Sequence, residues 1–411
     1  MVVFIRDINR LYSDRASKMR KSVIRELLKV TQDPEIISFA GGLPNPKSFP
    51  IKDLEGVMES VLEHNGKEAL QYGTTQGHKT LREQIAERAR KEGIKTTEEQ
   101  ITITSGSQQA LDSIGKIFLN PGDTAIVGLP TYLGGINAFR SYETNLTGIP
   151  LDQDGMKVDV LEENIKKMLK DDIIPKFIYV VPTFQNPAGV VMPESRRKKL
   201  VDIANEYDLI IVEDDPYGRL CYDIPPVKPI KAFDDENHVI YISTFSKILS
   251  PGFRLAWMIA GPEITRKIVI CKQALDLCTN TFTQYIASEF IRRGSLDLHI
   301  MKICEMYKPK RDIMMKSMEK YFPEGYICYK PKGGMFAWVT LPEGIDTELM
   351  FLDAIKEKVA YVHGKAFHVD GGGERSMRLN FSYSTDEMLD EGMRRLAKVI
   401  EGKLEKRKAV L

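Results

Sequence analysis

This chain is poor in cysteine. Its 411 residues hold five (Cys221, Cys271, Cys278, Cys304 and Cys328), an odd number with no C-x-x-C pair. That scarcity argues against a disulfide framework or a zinc site and for a reducing compartment. Cys271 and Cys278 are spaced by two helical turns, which predicts one shared helix face and two buried, inert thiols. Six histidines are scattered without H-x-x-x-H or H-E-x-x-H spacing, so no metal is expected. Net charge is nearly absent as well: 58 Lys plus Arg against 57 Asp plus Glu leave +1. Such a balance gives no electrostatic footprint for nucleic acid or an anionic membrane. No apolar run approaches the length of a membrane span, and the opening "MVVFIRDINRLYSD" lacks a signal core. A soluble, cytoplasmic protein is the expectation. Internal repeats and low-complexity segments are also missing.

Apolar residues are plentiful, at 43%, enough for a large core, and the length favours two or three domains. The early half alternates strand-like and helix-like stretches. "ITIT" (101–104) reads as a strand, 107–119 as a helix with Ala110, Leu111, Ile114 and Phe118 on one stripe, and 124–128 as the next strand. "KFIYVV" from 176, a helix near 194–207, "LIIVE" from 209, "HVIYIS" (238–243) and "LAWMIAG" (255–261) continue the pattern. Apolar runs that hardly alternate, separated by helices, predict an α/β fold with a mainly parallel sheet sandwiched by helices. After about residue 295 the pattern becomes a long helix, short strands around "YICYKP", "MFAWVTLP" and "SMRLNFS", and a charged closing helix. That reads as a smaller α+β domain. The predicted division is an N-terminal helix and arm over 1–50 packed on the small domain, a large domain over 51–300 and a small C-terminal domain over 301–411. The basic stretch "DRASKMRKSVIR" (14–25) reads as the N-terminal helix, and "SFAGGLPNPKSFP" (38–50) as an extended connector.

In open α/β sheets, ligands sit beyond the carboxyl ends of the strands. The segments there are "SGSQQ", "LPTY", "PTFQNPAG", "DDPY" and "TFSK". They gather Ser107, Gln108, Tyr132, Asn186, Asp214, Tyr217, Thr244, Ser246 and Lys247, with Arg254 close behind. "SGSQQAL" opens a helix whose free N–H groups favour an anion, with Ser107 as the expected cap. Thr244, Ser246 and the fork of Arg254 suit the same anion. An amine beside a phosphate site, with a carboxylate and a phenol from a neighbouring strand, suits pyridoxal 5′-phosphate. That cofactor needs a lysine for its aldehyde, a carboxylate at its ring nitrogen and donors at its ring oxygen.

"NPAG", "DDPYG", "STFSKILSPGFRLAW" and "MRLNFS", in this order and spacing, resemble the motif series of fold-type I, class I aminotransferases over nearly the whole chain. "SVIRELLKVTQDPEIISFAGGLPNPKSFP" and "QYGTTQGHKTLREQIA" resemble the subgroup of 2-aminoadipate, kynurenine and aromatic aminotransferases. The resemblance implies roles for single residues. Lys247 matches the lysine that joins the cofactor and shuttles the substrate proton. Asp214, three before Tyr217, matches the partner of the ring nitrogen, with Asp215 pointing elsewhere. Asn186 and Tyr217 match the ligands of the ring oxygen, and Tyr132 the aromatic stacked on the ring. Ser107, Gln108, Ser246 and Arg254 match the phosphate cup, with Thr244 at a position often held by Ser. Arg378 matches the clamp on the substrate α-carboxylate, beside Asn186, Gly41 and Gly42. Tyr72 matches a residue that reaches the partner's site in a homodimer. Arg25 matches an arginine that some relatives use on a dicarboxylic side chain, although a solvated helix residue reads equally well. The expected reaction moves an amino group from an aromatic amino acid, kynurenine or 2-aminoadipate to a 2-oxo acid, chiefly 2-oxoglutarate. A β-lyase on the same scaffold and a regulator's effector domain are the alternatives. The Gly-rich "GGGERS" from residue 371 lacks a preceding strand and a following helix, so it reads as a loop and not as a nucleotide site.

Overall fold

The computed structural model describes residues 8–18 and 33–408, with side chains through residue 405. Strands β1 (Ile37–Ser38), β2 (Ile101–Thr104), β3 (Thr124–Leu129), β4 (Asn145–Asp152), β5 (Gly155–Met156), β6 (Phe177–Val180), β7 (Ile210–Asp214), β8 (Val239–Thr244) and β9 (Ala256–Ile259) come first. All but β1 form one eight-stranded sheet in the order β2-β9-β8-β7-β6-β3-β4-β5. The pairs β3–β4, β3–β6, β6–β7 and β7–β8 are parallel. Strand β9 runs antiparallel to both neighbours, and β5 to β4. The sheet is therefore mainly parallel, as its unalternating apolar strands predict. Every residue of β6 and β8 is buried, because helices cover both faces.

The helices are α1 (Asp14–Lys18), α2 (Ile51–Ala69), α3 (Lys79–Lys91), α4 (Ser107–Phe118), α5 (Leu133–Arg140), α6 (Val158–Lys170), α7 (Glu194–Tyr207), α8 (Pro262–Leu275), α9 (Thr281–Arg292), α10 (Ser295–Tyr321), α11 (Thr347–Lys356) and α12 (Asp386–Lys408). In α4 the predicted stripe buries Ala110, Leu111 and Ile114 against the sheet, with Phe118 packed at its edge. Pro309 lies within α10. The proline removes one hydrogen bond to residue 305, and both residues lie on the exposed side, where water serves the freed carbonyl. The predicted N-terminal helix begins as α1; the rest of that stretch lies outside the described residues.

Strands β10 (Ile327–Cys328), β11 (Phe336–Thr340), β13 (Val362–His363) and β14 (Ser376–Asn380) form a second, antiparallel sheet in the order β10-β11-β14-β13. The remaining strand, β12 (Val359–Ala360), pairs in parallel with β1 of the connector, Ile37 opposite Val359. Register decides what the second sheet presents. Ala337 faces Leu379 across the ladder, and Trp338 faces Arg378. Strand alternation then sends Ala337, Val339, Met377 and Leu379 into the core. It turns Phe336, Trp338 and Arg378 to the opposite face. One apolar cluster spans Phe39 and Leu54, Ile101 of the large sheet, Leu255 just before β9, and Ala337, Leu379 and Met393 of the second sheet and its helix.

The two thiols predicted to share a helix face do not. Helix α8 stops at Leu275, because Asp276 leaves helical geometry at φ −146° and Leu277 turns to φ 61°. Cys271 is buried on the helix, while Cys278 lies past its end and is half-buried.

Leu111 is fully buried between α4 and the sheet. Leu111→Ala is expected to lower unfolding stability by about 2–5 kcal/mol, the range for emptying a packed leucine site. Urea unfolding followed by far-UV circular dichroism checks this.

Candidate active site

The carboxyl ends of the parallel strands converge as the topology requires. Asp214 is the last residue of β7 and Thr244 the last of β8. Tyr132 follows β3, Asn186 follows β6, and Lys247 and Arg254 lie on the connection from β8 to β9. Arg378 comes from the second sheet.

Asp214 is buried, and the Tyr179 hydroxyl donates to its Oδ2 at 2.8 Å. Its Oδ1 is buried without a partner. Burial pushes the carboxyl up to about 7, against the opposing pull of the Tyr179 bond. Asp215 is engaged elsewhere: it accepts from the Tyr241 hydroxyl at 3.1 Å and the Gly218 N–H at 3.0 Å.

Lys247 donates from Nζ to the carbonyl of Gly42 at 2.8 Å. Burial, followed by the nearby cations Arg378 and Arg254, lowers its amine to about 8. A useful fraction of the amine is therefore neutral at ordinary pH, which a nucleophile or base requires.

Arg378 is 1% exposed. Its Nη1 donates to Asn186 Oδ1 at 2.9 Å and its Nη2 to the Ala40 carbonyl at 2.7 Å. The guanidinium lies between the rings of Phe336 and Phe367, 4.2 and 5.0 Å from their centroids. Its Nε remains buried without a partner. Asn186 in turn donates through Nδ2 to the Tyr217 hydroxyl at 3.2 Å. Tyr217 is buried and its phenol is pushed up, chiefly by desolvation. Arg378, Asn186 and Tyr217 thus form one chain, with the backbone of Ala40 and Gly42 holding its arginine and the neighbouring Lys247.

The anion cup differs from expectation in one respect. Ser107 is the first residue of α4, and Gly106 takes the cap position with φ 88°. Only glycine suits this turn. Its conformation is left-handed, and a Cβ there would fall 2.4 Å from Arg254 Nη2. Freed from capping, Ser107 Oγ is buried without a partner. Thr244 Oγ1 donates to Ser246 Oγ at 3.0 Å and accepts the Ser246 N–H at 3.1 Å, which fixes the turn on the far side.

Tyr132 precedes α5 and its ring folds over the first turn, where a Cβ on Gly134 would fall 2.4 Å from it. Burial and then the Asp214 carboxylate raise its phenol's pKa. Gln108 is held to the side, donating to the Gly134 carbonyl at 3.0 Å. Tyr72 is 80% exposed and away from this set. Arg25 lies outside the described residues. Gly41 stands in the connector beside Ala40 and Gly42. Sequence reasoning missed Tyr179, Phe336, Phe367 and the Ala40 carbonyl. Tyr179 sits mid-strand in "FIYV", where an aromatic reads as core; only its register beside β7 gives it Asp214.

These residues fit pyridoxal 5′-phosphate. Asp214 Oδ1 lacks the donor that a ring N–H supplies. Ser107 Oγ, the first N–H groups of α4 and Arg254 surround a place for phosphate, and Lys247 supplies an amine of lowered basicity. Among the described residues, no cluster of His, Cys, Asp or Glu is arranged to hold a metal ion, and no helix is long and apolar enough to cross a membrane.

The model of the family "Aminotransferase class I and II" matches residues 41–396. Aromatic-amino-acid aminotransferase 1 of Thermococcus litoralis is 51% identical over 401 residues, covering 97% of this chain and 96% of that protein. The kynurenine aminotransferase of Pyrococcus horikoshii, solved in complex with PMP, KYN and KYA, is 50% identical with a TM-score of 0.95, covering 98% of this chain and all of that one. The α-aminoadipate aminotransferase of Thermus thermophilus, solved with N-(5′-phosphopyridoxyl)-L-leucine, is 36% identical with a TM-score of 0.89, covering 97% of this chain and 99% of that one. The chain belongs to the class I and II aminotransferases and is a fold-type I enzyme dependent on pyridoxal 5′-phosphate.

Proposed function

We propose that this aminotransferase takes its amino group from an aromatic amino acid, kynurenine or 2-aminoadipate and passes it to a 2-oxo acid, 2-oxoglutarate foremost, in a ping-pong cycle. The observation that carries this reading is the buried Arg378, held by Asn186, Ala40 and two phenyl faces beside the amine of Lys247. Its fork suits the α-carboxylate that every such substrate retains. The aromatic wall of Phe367 and Trp338, with Leu133 and Ala40 packed into the same cluster, suits an apolar or aromatic side chain. The relatives' named substrates point the same way.

In this reading Arg378 holds the carboxylate and so places the substrate Cα near Lys247. Lys247 Nζ, neutral in part because burial and two cations lower it, takes the Cα proton and later returns it as general acid. Asp214 offers Oδ1 to the ring N–H, with Tyr179 fixing the other oxygen. Asn186 Nδ2 and the Tyr217 hydroxyl would serve the ring oxygen, Tyr132 would stack on the ring, and Ser107, Thr244, Ser246, Arg254 and the backbone N–H of Gln108 would hold the phosphate. When bound, the cofactor supplies the aldehyde that accepts the amino group and a ring that spreads the charge left at Cα. Gly41 and Gly42 line the substrate side, and Arg25, outside the described residues, is assigned to a dicarboxylic side chain. We also propose a cytoplasmic homodimer in which exposed Tyr72 enters the partner's site. The proposed units are an arm over 1–50, a large domain over 51–300 and a small domain over 301–411.

Initial rates over a panel of amino donors with 2-oxoglutarate test the substrate assignment. Aromatic donors, kynurenine and 2-aminoadipate are expected to lead; dominance by aspartate or alanine would overturn the assignment. Lys247→Ala is expected to abolish turnover. Asp214→Asn is expected to lower kcat by about 10²–10³-fold, the scale of losing one preorganised electrostatic contact in a dry site. Full turnover in either variant contradicts its role.

The lowered amine predicts a pH dependence for cofactor capture. The neutral amine attacks, so the rate at which apoprotein takes up pyridoxal 5′-phosphate should rise with pH and level off above about 8. Arg378→Gln removes the stronger of the two depressing cations, so the midpoint should move upward. Stopped-flow absorbance from mildly acidic to alkaline pH checks both the position and the shift.

A further inference from the structure

Behind the phosphate cup lies a polar cluster, buried at Lys272 and Thr279 and partly buried at Gln109 and Asp276, that the catalytic reading leaves unused. Lys272, on the last turn of α8, has a side chain with no exposed surface. Its Nζ donates to Gln109 Oε1 at 3.0 Å, to Asp276 Oδ1 at 3.0 Å and Oδ2 at 3.2 Å, and to Thr279 Oγ1 at 3.0 Å. The same acceptors are shared with the turn that precedes α4. Gln109 Oε1 accepts the Ser105 N–H at 2.8 Å, and Asp276 Oδ2 accepts from Gln109 Nε2 at 2.7 Å and from Ser105 Oγ at 3.1 Å. Thr279 Oγ1 reaches back to the Ile103 carbonyl at 3.3 Å. On the other side of this turn, the Ser105 carbonyl accepts from Arg254 Nη2 at 3.5 Å. Lys272, Asp276, Gln109 and Thr279 therefore grip Ser105 from behind, while Gly106, Ser107 and Arg254 stand in front.

An ammonium and a carboxylate in one cluster cancel, so it lends no net charge to an anion next door. Nor does it bring cheap stability, because burying the Lys272 ammonium costs desolvation that its pairing with partly buried Asp276 does little more than offset. What a saturated buried network does provide is a fixed arrangement. The residue it fixes leads into a left-handed glycine whose neighbour's hydroxyl is unpartnered. We propose that Lys272, Asp276 and Gln109 are positioning residues for the cofactor phosphate. They hold the Ser105–Gly106 turn so that the α4 N-terminus, Ser107 Oγ and Arg254 meet the phosphate as one preformed site. The inference rests on the phosphate-cup reading of Ser107 and Arg254.

A comparison of two ligands that differ only in phosphate tests it. Apoprotein of the wild type, Lys272→Met, Gln109→Met and Arg254→Gln is titrated with pyridoxal 5′-phosphate and with pyridoxal, and each apoprotein's thermal midpoint is recorded. Lys272→Met and Gln109→Met are expected to weaken pyridoxal 5′-phosphate by about tenfold or more, the scale known for contacts that support ligands from behind. Affinity for pyridoxal, and kcat at saturating cofactor, should stay unchanged. Equal losses for both ligands would mean a merely structural role and would overturn the inference, as would no loss for either. Gln109→Met strands no charge, so it decides the matter if Lys272→Met fails to fold. Arg254→Gln separates the cup from its support. If it spares the phosphate preference, the cup itself is misplaced and the inference falls with it. If it alone removes that preference, the cup stands and the positioning role is wrong.

Discussion

A buried guanidinium without a carboxylate of its own organises this molecule. Among the described residues, Arg378 makes no ion pair within 4.0 Å, though it is 1% exposed. Burying an unpaired charge is costly, and proteins normally neutralise or pair such a group. Here its charge is met by an amide oxygen, a backbone carbonyl and two aromatic faces. Each comes from a different part of the chain: Asn186 from beyond the carboxyl end of β6, Ala40 from the connector, Phe336 from the second sheet and Phe367 from the turn after β13. The desolvation lowers the guanidinium to about 10 but leaves it a cation. A carboxylate arriving there gains the counter-charge position without displacing a competing one.

The same economy of partners recurs around it. Asp214 keeps one oxygen free, Ser107 keeps its hydroxyl free, and Lys247 is held only by a carbonyl. Unsatisfied buried polar atoms are few in folded proteins and require explanation. The free atoms Asp214 Oδ1 and Ser107 Oγ suit a single ligand with an N–H at one end and an anion at the other. The backbone makes room: glycine at 106 admits Arg254, and glycine at 134 admits the Tyr132 ring.

Much of this is legible in the sequence because it lies at strand ends. β2, β7 and β8 follow from short apolar runs, and the polar residues just beyond them are set by sheet topology alone. Lys247, Asp214, Asn186 and Arg254 belong to that class. Arg378 is legible only through resemblance, since a strand arginine carries no mark of the phenyl rings around it. Tyr179, Phe336 and Phe367 are illegible for the opposite reason: an aromatic in an apolar strand reads as core, and their roles arise from register across strands or between sheets. Ser107 reads as a cap because propensity favours serine there. The left-handed turn demands glycine one residue earlier, and that frees the hydroxyl. The helix face expected for Cys271 and Cys278 fails because periodicity does not reveal where Asp276 ends the helix.

The cations also tie ligand binding to the basicity of Lys247. Burial lowers the amine, and the remaining depression comes from Arg378 and Arg254. An anion on Arg254 cancels one of these fields, and a carboxylate on Arg378 cancels the other. The field of Arg378 is strong because little water screens that buried group, while exposed Arg254 contributes less. Loading the site therefore raises the proton affinity of the Lys247 amine, while the unloaded amine stays partly neutral and nucleophilic. One pair of arginines thus favours the two roles of the lysine in sequence, first as a free amine that can bond and then as a stronger base. Removal of the arginine charge by an uncharged residue does not reproduce this, because the basicity would then be raised before any ligand arrived.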